Sequence, residues 1–301
     1  MIDLSIIIVS YNTKDLTLDC IKSIKKYTNN LEYEIIVADN GSKDGSTEAI
    51  SKLKEVTLIK NKDNTGFAKA NNQGISKSTG RYTLFLNSDT FLIENSLAKM
   101  IEFMDNNKQI GIASCQLLNS NRSIQETGGY FPTLPRVVLW ALLIDDIPGV
   151  SDLFGSYHPH TPKGIIKSNF YKKERNFDWV KGAFMLVRRQ VLEKIGGFDE
   201  NIFMYGEDVE LCYRVKKEGW KVVYVPITKI VHIGGASGVV QNTLISEYKG
   251  LLYYYKKHKG LVQTFIIWIL LKISSLIRIL LFILLGKKEL AKIYAKAFTA
   301  N

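Results

Sequence analysis

The chain has 301 residues, of which 46% are hydrophobic and 23% charged, a balance that is typical of a globular protein and excludes a disordered one. The formal net charge of +11 favours negatively charged partners, such as anionic lipids or phosphorylated substrates. Because the sequence has neither zinc-finger spacing nor an arginine-rich arm, we expect no nucleic-acid partner.

Short β-branched runs alternate with segments of helical spacing over the first 115 residues. The run Leu4–Val9 predicts a strand buried on both faces, and the spacing of Leu16, Cys20 and Ile24 predicts a helix after it. This alternation predicts βαβ units and a mostly parallel sheet. The predicted strands span 4–9, 34–38, 56–59, 82–86 and 110–114, and the predicted helices span 14–27, 46–53, 67–77 and 94–106.

The second half of the chain has a less regular pattern. Residues 120–176 carry five of the six prolines and no clear period, so we expect loops and short elements there. Periodicity then returns, and it predicts strands over 183–187 and 221–225 and helices over 189–195 and 207–218.

Polar residues follow three of the predicted strands. Ser10–Asn12 follows the first, the turn Asp39–Ser46 follows the second, and Asn87–Asp89 follows the fourth. Ligands of open α/β sheets bind beyond the carboxyl ends of the strands, so we expect these residues to converge on one crevice. The crevice would offer a nucleotide a stacking face, a base-edge acceptor and a metal ligand. No Gly-x-Gly-x-x-Gly follows the first strand, which excludes a nicotinamide-dependent dehydrogenase.

Each of these pieces also has a purely structural interpretation. Asp39 stands in a common turn sequence, Asp89 is a suitable N-cap for a following helix, and Tyr11 can pack on the sheet edge. Their joint placement after successive strands favours the functional interpretation.

Five motifs occur in the order found in one known family: Ile7–Asn12, Ala38–Ser46, Asn64–Gly74, Leu86–Asp89 and Gly197–Leu211. On these motifs the sequence resembles family-two glycosyltransferases, most of all the rhamnosyltransferase-like branch that builds cell-surface polysaccharides. The resemblance covers about residues 3–235. It implies the GT-A nucleotide-diphospho-sugar transferase fold, an α/β fold whose mostly parallel central sheet is flanked by helices.

The same resemblance implies how the chain is divided. Residues 1–235 would form the catalytic domain, with a nucleotide-binding half over 1–115 and an acceptor and catalytic half over 116–235. Residues 236–301 would form a C-terminal helical region that associates with the membrane or forms an oligomer.

The resemblance also implies a nucleotide site. Asp39 would accept a hydrogen bond from N3–H of a uracil or thymine base, and Tyr11 would line the base pocket. The full nucleotide-binding set implied is Ser10, Tyr11, Asn12, Asp39, Asn64, Gly66, Asn71 and Ser88.

A divalent metal, Mg²⁺ or Mn²⁺, is the cofactor that the resemblance implies. Asp89 matches the last carboxylate of the family's DXD-like motif, and Asn87 stands where the strict motif has an aspartate. His232 would complete the metal site from the opposite side and offset the missing carboxylate. The alternative for His232 is a structural histidine that only forms hydrogen bonds.

Asp208 matches the family's catalytic base, which takes the proton of an acceptor hydroxyl as it attacks. It stands beside Glu207 at a predicted helix start, where both carboxylates also suit the helix dipole, and we expect one base rather than a pair. The segment that lines the donor sugar and the acceptor would include Trp179, Lys181, Gly182 and Glu207. Core packing is an equal alternative for Trp179.

The tail 261–286 is strongly apolar and long enough to span a bilayer, but Lys272 and Arg278 interrupt it. We therefore expect two short apolar helices that lie in the membrane interface, with both cationic side chains extended toward the headgroups. Lysines on either side of the segment favour an anionic membrane surface. A subunit interface, and thus a homo-oligomer, is the alternative.

The expected activity is that of an inverting glycosyltransferase, which moves a sugar such as rhamnose from a UDP- or dTDP-sugar to a glycan acceptor. We expect this acceptor to be held on a lipid. Because the first apolar run follows Asp3 rather than a basic segment, it does not resemble a signal peptide, and the three separate cysteines fit a reducing compartment. We expect a cytoplasmic protein at the inner face of the cell membrane. A non-catalytic sugar- or lipid-binding module and a nucleotidyltransferase remain as alternatives.

Overall fold

The computed structural model describes residues 2–147, 150–157, 170–235 and 240–300. Parts of the predicted loop region, at 148–149 and 158–169, and residues 236–239 of the predicted C-terminal region lie outside the described residues. The chain divides into two compact units. The first unit comprises Met1–Gly128, Thr161–Phe203 and Asp208–Ser237, and the second comprises Gly129–His160, Met204–Glu207 and Gly238–Asn301.

The elements of the amino-terminal half follow the predicted order closely. Strands and helices alternate up to residue 118, except that one short strand directly follows the fourth strand, and two very short strands come next. In chain order they are β1 (Leu4–Ser10), α1 (Lys14–Tyr27), β2 (Tyr33–Asp39), α2 (Ser46–Ile50), β3 (Val56–Lys60), α3 (Phe67–Ile75), β4 (Tyr82–Asn87), β5 (Thr90–Leu92), α4 (Ser96–Asn106), β6 (Ile110–Leu118), β7 (Ile124–Gln125) and β8 (Gly128–Gly129).

The remaining elements include short pieces in the proline-containing region and long helices at the end. They are α5 (Leu134–Ala141), α6 (Val150–Phe154), β9 (Arg175–Phe177), β10 (Trp179–Val180), β11 (Phe184–Arg188), α7 (Arg189–Ile195), α8 (Glu207–Lys217), β12 (Lys221–His232), α9 (Val240–His258), α10 (Leu261–Leu284) and α11 (Lys288–Ala300).

The large sheet of the first unit has the strand order β3-β2-β1-β4-β11-β6-β12-β5. Neighbours among β1 to β4 are parallel, as are β6 and β12, whereas β11 runs antiparallel to both β4 and β6. The centre of β1 is fully buried, as its β-branched run predicts: Ile6, Ile7 and Ile8 have no exposed surface. The predicted mostly parallel α/β sheet is confirmed.

Strand β12 is longer than predicted. The sequence pattern ends it at Val225, because Pro226 cannot donate a ladder hydrogen bond. In the structure the strand continues to His232 across an irregularity between Tyr224 and Lys229, after which its pairing with β6 resumes. The bulge accommodates the proline and carries the chain on to the edge strand β5.

The expectation of two short apolar helices in the tail is wrong. Residues 261–284 form one continuous 24-residue helix, α10. Arg278 does not reach toward solvent: it is buried, and its guanidinium donates to the carbonyl oxygens of Trp140 and Ala141, both at 2.9 Å, and to Ser274 Oγ. Lys272 donates to the carbonyl oxygen of Phe298. Because both cations are satisfied within the second unit, they do not interrupt the helix.

Candidate active site

Three parallel strands end side by side at one edge of the sheet. Ser10 at the end of β1 is in register with Asp39 at the end of β2, and Val9 is in register with Asn87 at the end of β4. The backbone amide of Asn87 donates a hydrogen bond of 3.2 Å to the carbonyl oxygen of Ala183, the residue that precedes β11. Since neighbouring strands lie about 4.8 Å apart, the residues after β2, β1 and β4 form a continuous row. The row lies where the sequence predicts a ligand crevice.

Asp39 is a buried carboxylate, only 1% exposed, and its two oxygens differ in their hydrogen bonding. Oδ1 accepts hydrogen bonds from the Ser42 amide at 3.0 Å and from the Thr47 hydroxyl at 2.9 Å. Oδ2 is equally buried but accepts no hydrogen bond from the described residues. A buried acceptor without a donor is costly, so this oxygen is suited to an N–H group that a ligand brings. Thr47, which the sequence analysis did not single out, thus fixes which oxygen is left for a ligand.

The residues that follow β1 are tied to neighbouring loops. Asn12 adopts a left-handed conformation, with φ at 52°, and its Oδ1 accepts from the Lys43 amide at 2.8 Å. Ser10 and Ser88 are buried, and their hydroxyls lie 3.4 Å and 3.1 Å from the hydroxyl of Thr13. These bonds join the ends of β1 and β4, so the two serines stabilise this edge of the sheet. Tyr11, which lies between Ser10 and Asn12 in the sequence, is half-buried.

The Asn64–Gly74 motif is held mainly by contacts within the protein. Asn64 Oδ1 accepts from the Gly66 amide at 3.0 Å, and Asn71 Nδ2 donates to the Phe67 carbonyl at 2.9 Å. Gly66 has φ at 87°, and a Cβ placed on it would lie 2.7 Å from the carbonyl oxygen of Phe203. The glycine thus permits the close approach of the Phe203 backbone. Nucleotide contacts by Asn64, Gly66 and Asn71 stay predictions.

Asp89 and His232 meet because β5 pairs antiparallel with the end of β12. Asp89 Oδ1 lies 3.4 Å from His232 Nε2, and Asp89 Oδ2 accepts from the Gly234 amide at 2.9 Å. Burial tends to raise the pKa of Asp89, but His232 in its protonated form and the Gly234 amide outweigh it and hold this pKa below its ordinary value. Asp89 leads into a strand rather than a helix, so the N-cap alternative is wrong.

A third side chain, Asn87, completes this group: its Nδ2 lies 3.2 Å from His232 Nε2. Within the described ranges, no three histidine, cysteine, aspartate or glutamate side chains come together as a metal cluster. Asp89 and His232 nonetheless form a donor set of one carboxylate and one imidazole, which fits a metal that takes its remaining ligands from a diphosphate and water.

His232 also has a partner that the sequence analysis missed. Its Nδ1 lies 2.6 Å from Oε1 of Gln125, which belongs to the two-residue strand β7. Gln125 stands in the region without periodicity, so no pattern in the sequence indicated it.

Asp208 is the second residue of α8. Its Oδ1 accepts from the Val209 amide at 2.8 Å, and its Oδ2 lies 3.4 Å from the amide of Gly182. Burial raises the pKa of Asp208 above its ordinary value, although these amides and the Lys181 ammonium oppose the rise. Burial likewise lowers the pKa of Lys181, opposed by Glu126, whose carboxylate is 3.8 Å away, and by Asp208. Because Gly182 directly precedes Ala183, Asp208 is connected to the end of β4.

The other two residues predicted on the acceptor side are in the interior. Trp179 is 6% exposed, which favours the core-packing alternative over a flat face for a sugar. Glu207 is also buried and, as the first residue of α8, it falls at the end of the short segment Met204–Glu207 of the second unit. An acceptor role for either residue stays a prediction.

Two family models match the chain. One described as "Glycosyl transferase family 2" matches residues 5–196, and one described as "Glycosyl transferase family group 2" matches residues 163–285.

Curated relatives include two rhamnosyltransferases. The chain is 27% identical over 212 residues to N-acetylglucosaminyl-diphospho-decaprenol L-rhamnosyltransferase of Mycobacterium tuberculosis, and the match covers 66% of each chain. It is 28% identical over 240 residues to Rhamnosyltransferase WbbL of Escherichia coli K12, covering 75% of this chain and 82% of the relative. The matched part of the chain thus spans about two thirds of the mycobacterial relative's length.

Solved structures share the fold at low sequence identity. A mannosyltransferase from Pyrobaculum calidifontis in complex with GDP-Man and Mn²⁺ superposes with a TM-score of 0.58 and 16% identity, covering 99% of this chain and 74% of that one. GalNAc-T7 with UDP, GalNAc and Mn²⁺ has the same TM-score and identity and covers 86% of this chain and 51% of that one. This likeness confirms the predicted glycosyltransferase fold.

Proposed function

The chain belongs to glycosyl transferase family 2, and on that premise we propose that it is an inverting glycosyltransferase of cell-surface polysaccharide synthesis. It moves a sugar, with rhamnose as our candidate, from a UDP- or dTDP-sugar to a lipid-linked glycan. The observation that carries the proposal is that Asp39 and Asp89 follow strands that end at one sheet edge, while Asp208 accepts from the amide of Gly182 beside the end of β4. Each carboxylate is fixed by its own set of hydrogen bonds. The named rhamnosyltransferase relatives support the sugar and the lipid-linked acceptor.

The buried Oδ2 of Asp39 supports a uracil or thymine donor. Both bases carry an N3–H flanked by two carbonyl groups, so the imide can donate to a carboxylate oxygen that has no other donor among the described residues. A cytosine base has no N–H at that position and would leave the oxygen unsatisfied. The base-binding residue therefore selects among nucleotides by hydrogen-bond polarity.

Asp89 and His232 are the residues that would hold the metal, since their Oδ1 and Nε2 atoms lie 3.4 Å apart. An imidazole ligand beside a carboxylate favours Mn²⁺ over Mg²⁺, which prefers oxygen ligands throughout. When bound, the metal supplies positive charge that neutralises the leaving nucleoside diphosphate. Asn87 lies beside both residues, and its amide adds a neutral polar group where a second carboxylate would otherwise add charge.

Asp208 is proposed as the general base that takes the proton of the acceptor hydroxyl as it attacks the anomeric carbon. Its raised pKa makes it a stronger base than an ordinary carboxylate, and the Gly182 and Val209 amides orient its two oxygens. A single base suffices for direct displacement, which inverts the anomeric centre. The charge of the Lys181 ammonium favours the ionised form of this carboxylate.

The second unit supports a site of action at the membrane. In α10 the polar side chains Ser274, Ser275 and Arg278 are buried, while apolar ones face outward: Leu280 is 63% exposed and Leu284 is 84% exposed. A water-soluble helix has the reverse pattern. Among the described residues, α10 is the one helix long and apolar enough to cross a membrane by length and composition. Lysines on α9 and α11 flank it, so we propose peripheral association with the anionic cytoplasmic leaflet.

A screen of nucleotide sugars tests the proposed function. Purified full-length protein is incubated with Mn²⁺, each nucleotide sugar and a detergent-solubilised polyprenyl-diphosphate-linked N-acetylglucosamine. We expect acceptor-dependent release of UDP or dTDP, and NMR of the product should show the inverted anomeric configuration. Release of pyrophosphate would instead indicate a nucleotidyltransferase, and a retained configuration would exclude the single-base mechanism.

A further inference from the structure

The side-chain amide of Gln125 contacts His232 at two points. Its Oε1 lies 2.6 Å from Nδ1 of the imidazole, and its Nε2 donates 3.2 Å to the backbone carbonyl oxygen of the same residue. The Nε2 group also donates to Oδ1 of Asn119 at 2.9 Å. Gln125 therefore contacts both the ring and the main chain of His232 and restricts both.

The backbone carbonyl determines the orientation of this amide. A carbonyl oxygen can only accept, so the NH₂ group of Gln125 must face it and Oε1 must face the imidazole. The neighbouring bonds agree: Ser123 Oγ donates to Asn121 Oδ1, and Asn119 Nδ2 donates to Ser123 Oγ, which leaves Asn119 Oδ1 as the acceptor for Gln125.

The orientation of the amide in turn determines the tautomer of the histidine. Because Oε1 of Gln125 is an acceptor, Nδ1 of His232 must carry the proton, and in the neutral ring Nε2 then keeps its lone pair. That nitrogen is the one that lies 3.4 Å from Asp89 Oδ1 and 3.2 Å from Asn87. A lone pair on Nε2 is what a metal ligand requires.

We propose that Gln125 is a positioning residue that holds neutral His232 in the Nδ1–H tautomer and aims its Nε2 lone pair into the space shared with Asp89. The inference rests on the metal site of the proposed function and adds a residue to it. Outer partners of this kind set ring orientation and ligand basicity, and losing one lowers metal affinity about 10- to 100-fold.

The tautomer is measured on the metal-free wild-type protein by long-range ¹H–¹⁵N correlation of the imidazole rings at about pH 8, above the pKa of histidine in model peptides. The chain has four histidines, and the spectrum of a His232→Gln variant identifies the signals of His232. We expect a protonated Nδ1 and a bare Nε2. A ring protonated on Nε2 overturns the proposal, whatever the activity of the enzyme.

Two variants then test the effect on metal binding, with Mn²⁺ affinity in the presence of UDP measured by electron paramagnetic resonance. Gln125→Met keeps the side-chain length but removes the acceptor, and we expect about 10-fold weaker Mn²⁺ binding and a mixed tautomer. Gln125→Glu keeps an acceptor oxygen toward Nδ1 but has no NH₂ group to donate to the His232 carbonyl oxygen, so we expect the Nδ1–H tautomer to remain and the Mn²⁺ affinity to lie between those of wild type and Gln125→Met. UDP binding in a chelator should be equal in all three proteins.

The outcomes separate this inference from the proposed function. If wild type binds Mn²⁺ and Gln125→Met binds it equally well with an unchanged tautomer, Gln125 is only structural and the inference is overturned alone. If wild-type protein binds no Mn²⁺ in the presence of UDP, the metal site fails and the inference fails with it. If Gln125→Met does not fold, the tautomers of His232 in wild type and in Gln125→Glu still decide the matter.

Discussion

The hydroxyl of Thr47 donates a hydrogen bond of 2.9 Å to Oδ1 of Asp39, and Oδ2 of the same buried carboxylate is left without a donor among the described residues. Thr47 lies in the first turn of α2, eight residues after Asp39, so a short local segment sets the polarity of the base site. Nucleotide selectivity is expected to depend on this pair even in the absence of metal.

Asp39→Asn should weaken the binding of UDP by about 10-fold or more in a chelator. The substitution exchanges the acceptor facing N3–H for an amide, and loss of a buried hydrogen bond to a charged group costs about 1.5–3 kcal/mol. Isothermal titration calorimetry with UDP and CDP measures it, and the preference for UDP should fall. Thr47→Val should have a smaller effect in the same direction, with Thr47→Ser as the matched control. Unchanged UDP affinity in Asp39→Asn would remove Asp39 from base recognition.

Asp89→Ala should weaken UDP binding at least about 10-fold when Mn²⁺ is present and hardly alter it in a chelator. The reason is that Asp89 would act on the diphosphate through the metal, of which it would be one of two protein ligands. His232→Ala should also weaken UDP binding only when Mn²⁺ is present, but by a smaller factor, because the Asp89 carboxylate remains. Titration calorimetry in both buffers measures the difference. Equal loss in both buffers would mean that Asp89 only supports the Gly234 loop, to whose amide it bonds at 2.9 Å.

The amino-terminal part of the sheet, where strands and helices alternate along the chain, was predictable because the sequence patterns of its elements are local. A buried parallel strand such as β1 is a continuous β-branched run, and polar residues after it mark the crevice. Placing Asp89 opposite His232 was predictable only through the family resemblance. The two residues are 143 positions apart in the sequence and are brought together by the pairing of β5 with β12, a long-range contact without a local pattern.

Asp208→Asn should lower turnover by at least about 10²-fold, a typical size for the loss of a general base, while UDP binding in Mn²⁺ stays close to wild type. Asparagine keeps the size of the side chain and one acceptor oxygen, which can retain the shorter bond of 2.8 Å from the Val209 amide, so the fold should be kept. Glu207→Gln is the matched control, since it removes the neighbouring charge at the start of α8. Steady-state release of the nucleoside diphosphate measures both. A larger loss in Glu207→Gln than in Asp208→Asn would exchange their roles.

Lys181→Met should move the acid limb of the pH–turnover profile to higher pH. A base works only when ionised, so turnover falls as pH falls through the pKa of Asp208, which burial already raises. The Lys181 ammonium opposes that rise, and removing its charge raises this pKa further. Activity at low pH is therefore lost first, and activity well above the pKa should change less. Initial rates across a pH series measure the shift, and a shift toward lower pH would contradict the assigned interaction.

Two features could not be predicted from the sequence, for physical reasons. Gln125 acts through a two-residue strand, and such short pairing depends on the neighbouring strand β6 rather than on its own residues. Arg278 looked like an interruption of an apolar run, since a charge in a membrane helix is costly. Its hydrogen bonds go to the carbonyl oxygens of Trp140 and Ala141 at the end of α5, and only a folded structure supplies those acceptors.

The last prediction concerns the apolar outer face of α10. Leu284→Glu should weaken binding to vesicles of anionic lipid about 10-fold or more, because burying a leucine is worth about 1.5–3 kcal/mol and the new charge repels the surface. Ile227→Glu is the matched control, since Ile227 is also an exposed apolar residue, at 46%, but lies on β12. Co-sedimentation with vesicles measures both variants, and UDP binding should be unchanged in each.

Salt and lipid charge separate this mode of binding from the alternatives. Wild-type binding should rise with the anionic lipid fraction and fall between low and high salt, because the flanking lysines are screened within a Debye length of about 10 Å at 0.1 M. A helix that spans the bilayer would resist salt extraction altogether. If wild-type protein stays in solution with anionic vesicles at low salt, and Leu284→Glu instead converts a dimer to a monomer in analytical ultracentrifugation, the apolar face is a subunit interface. The reverse result, loss of vesicle binding with an unchanged sedimentation coefficient, would place the lipid surface against α10.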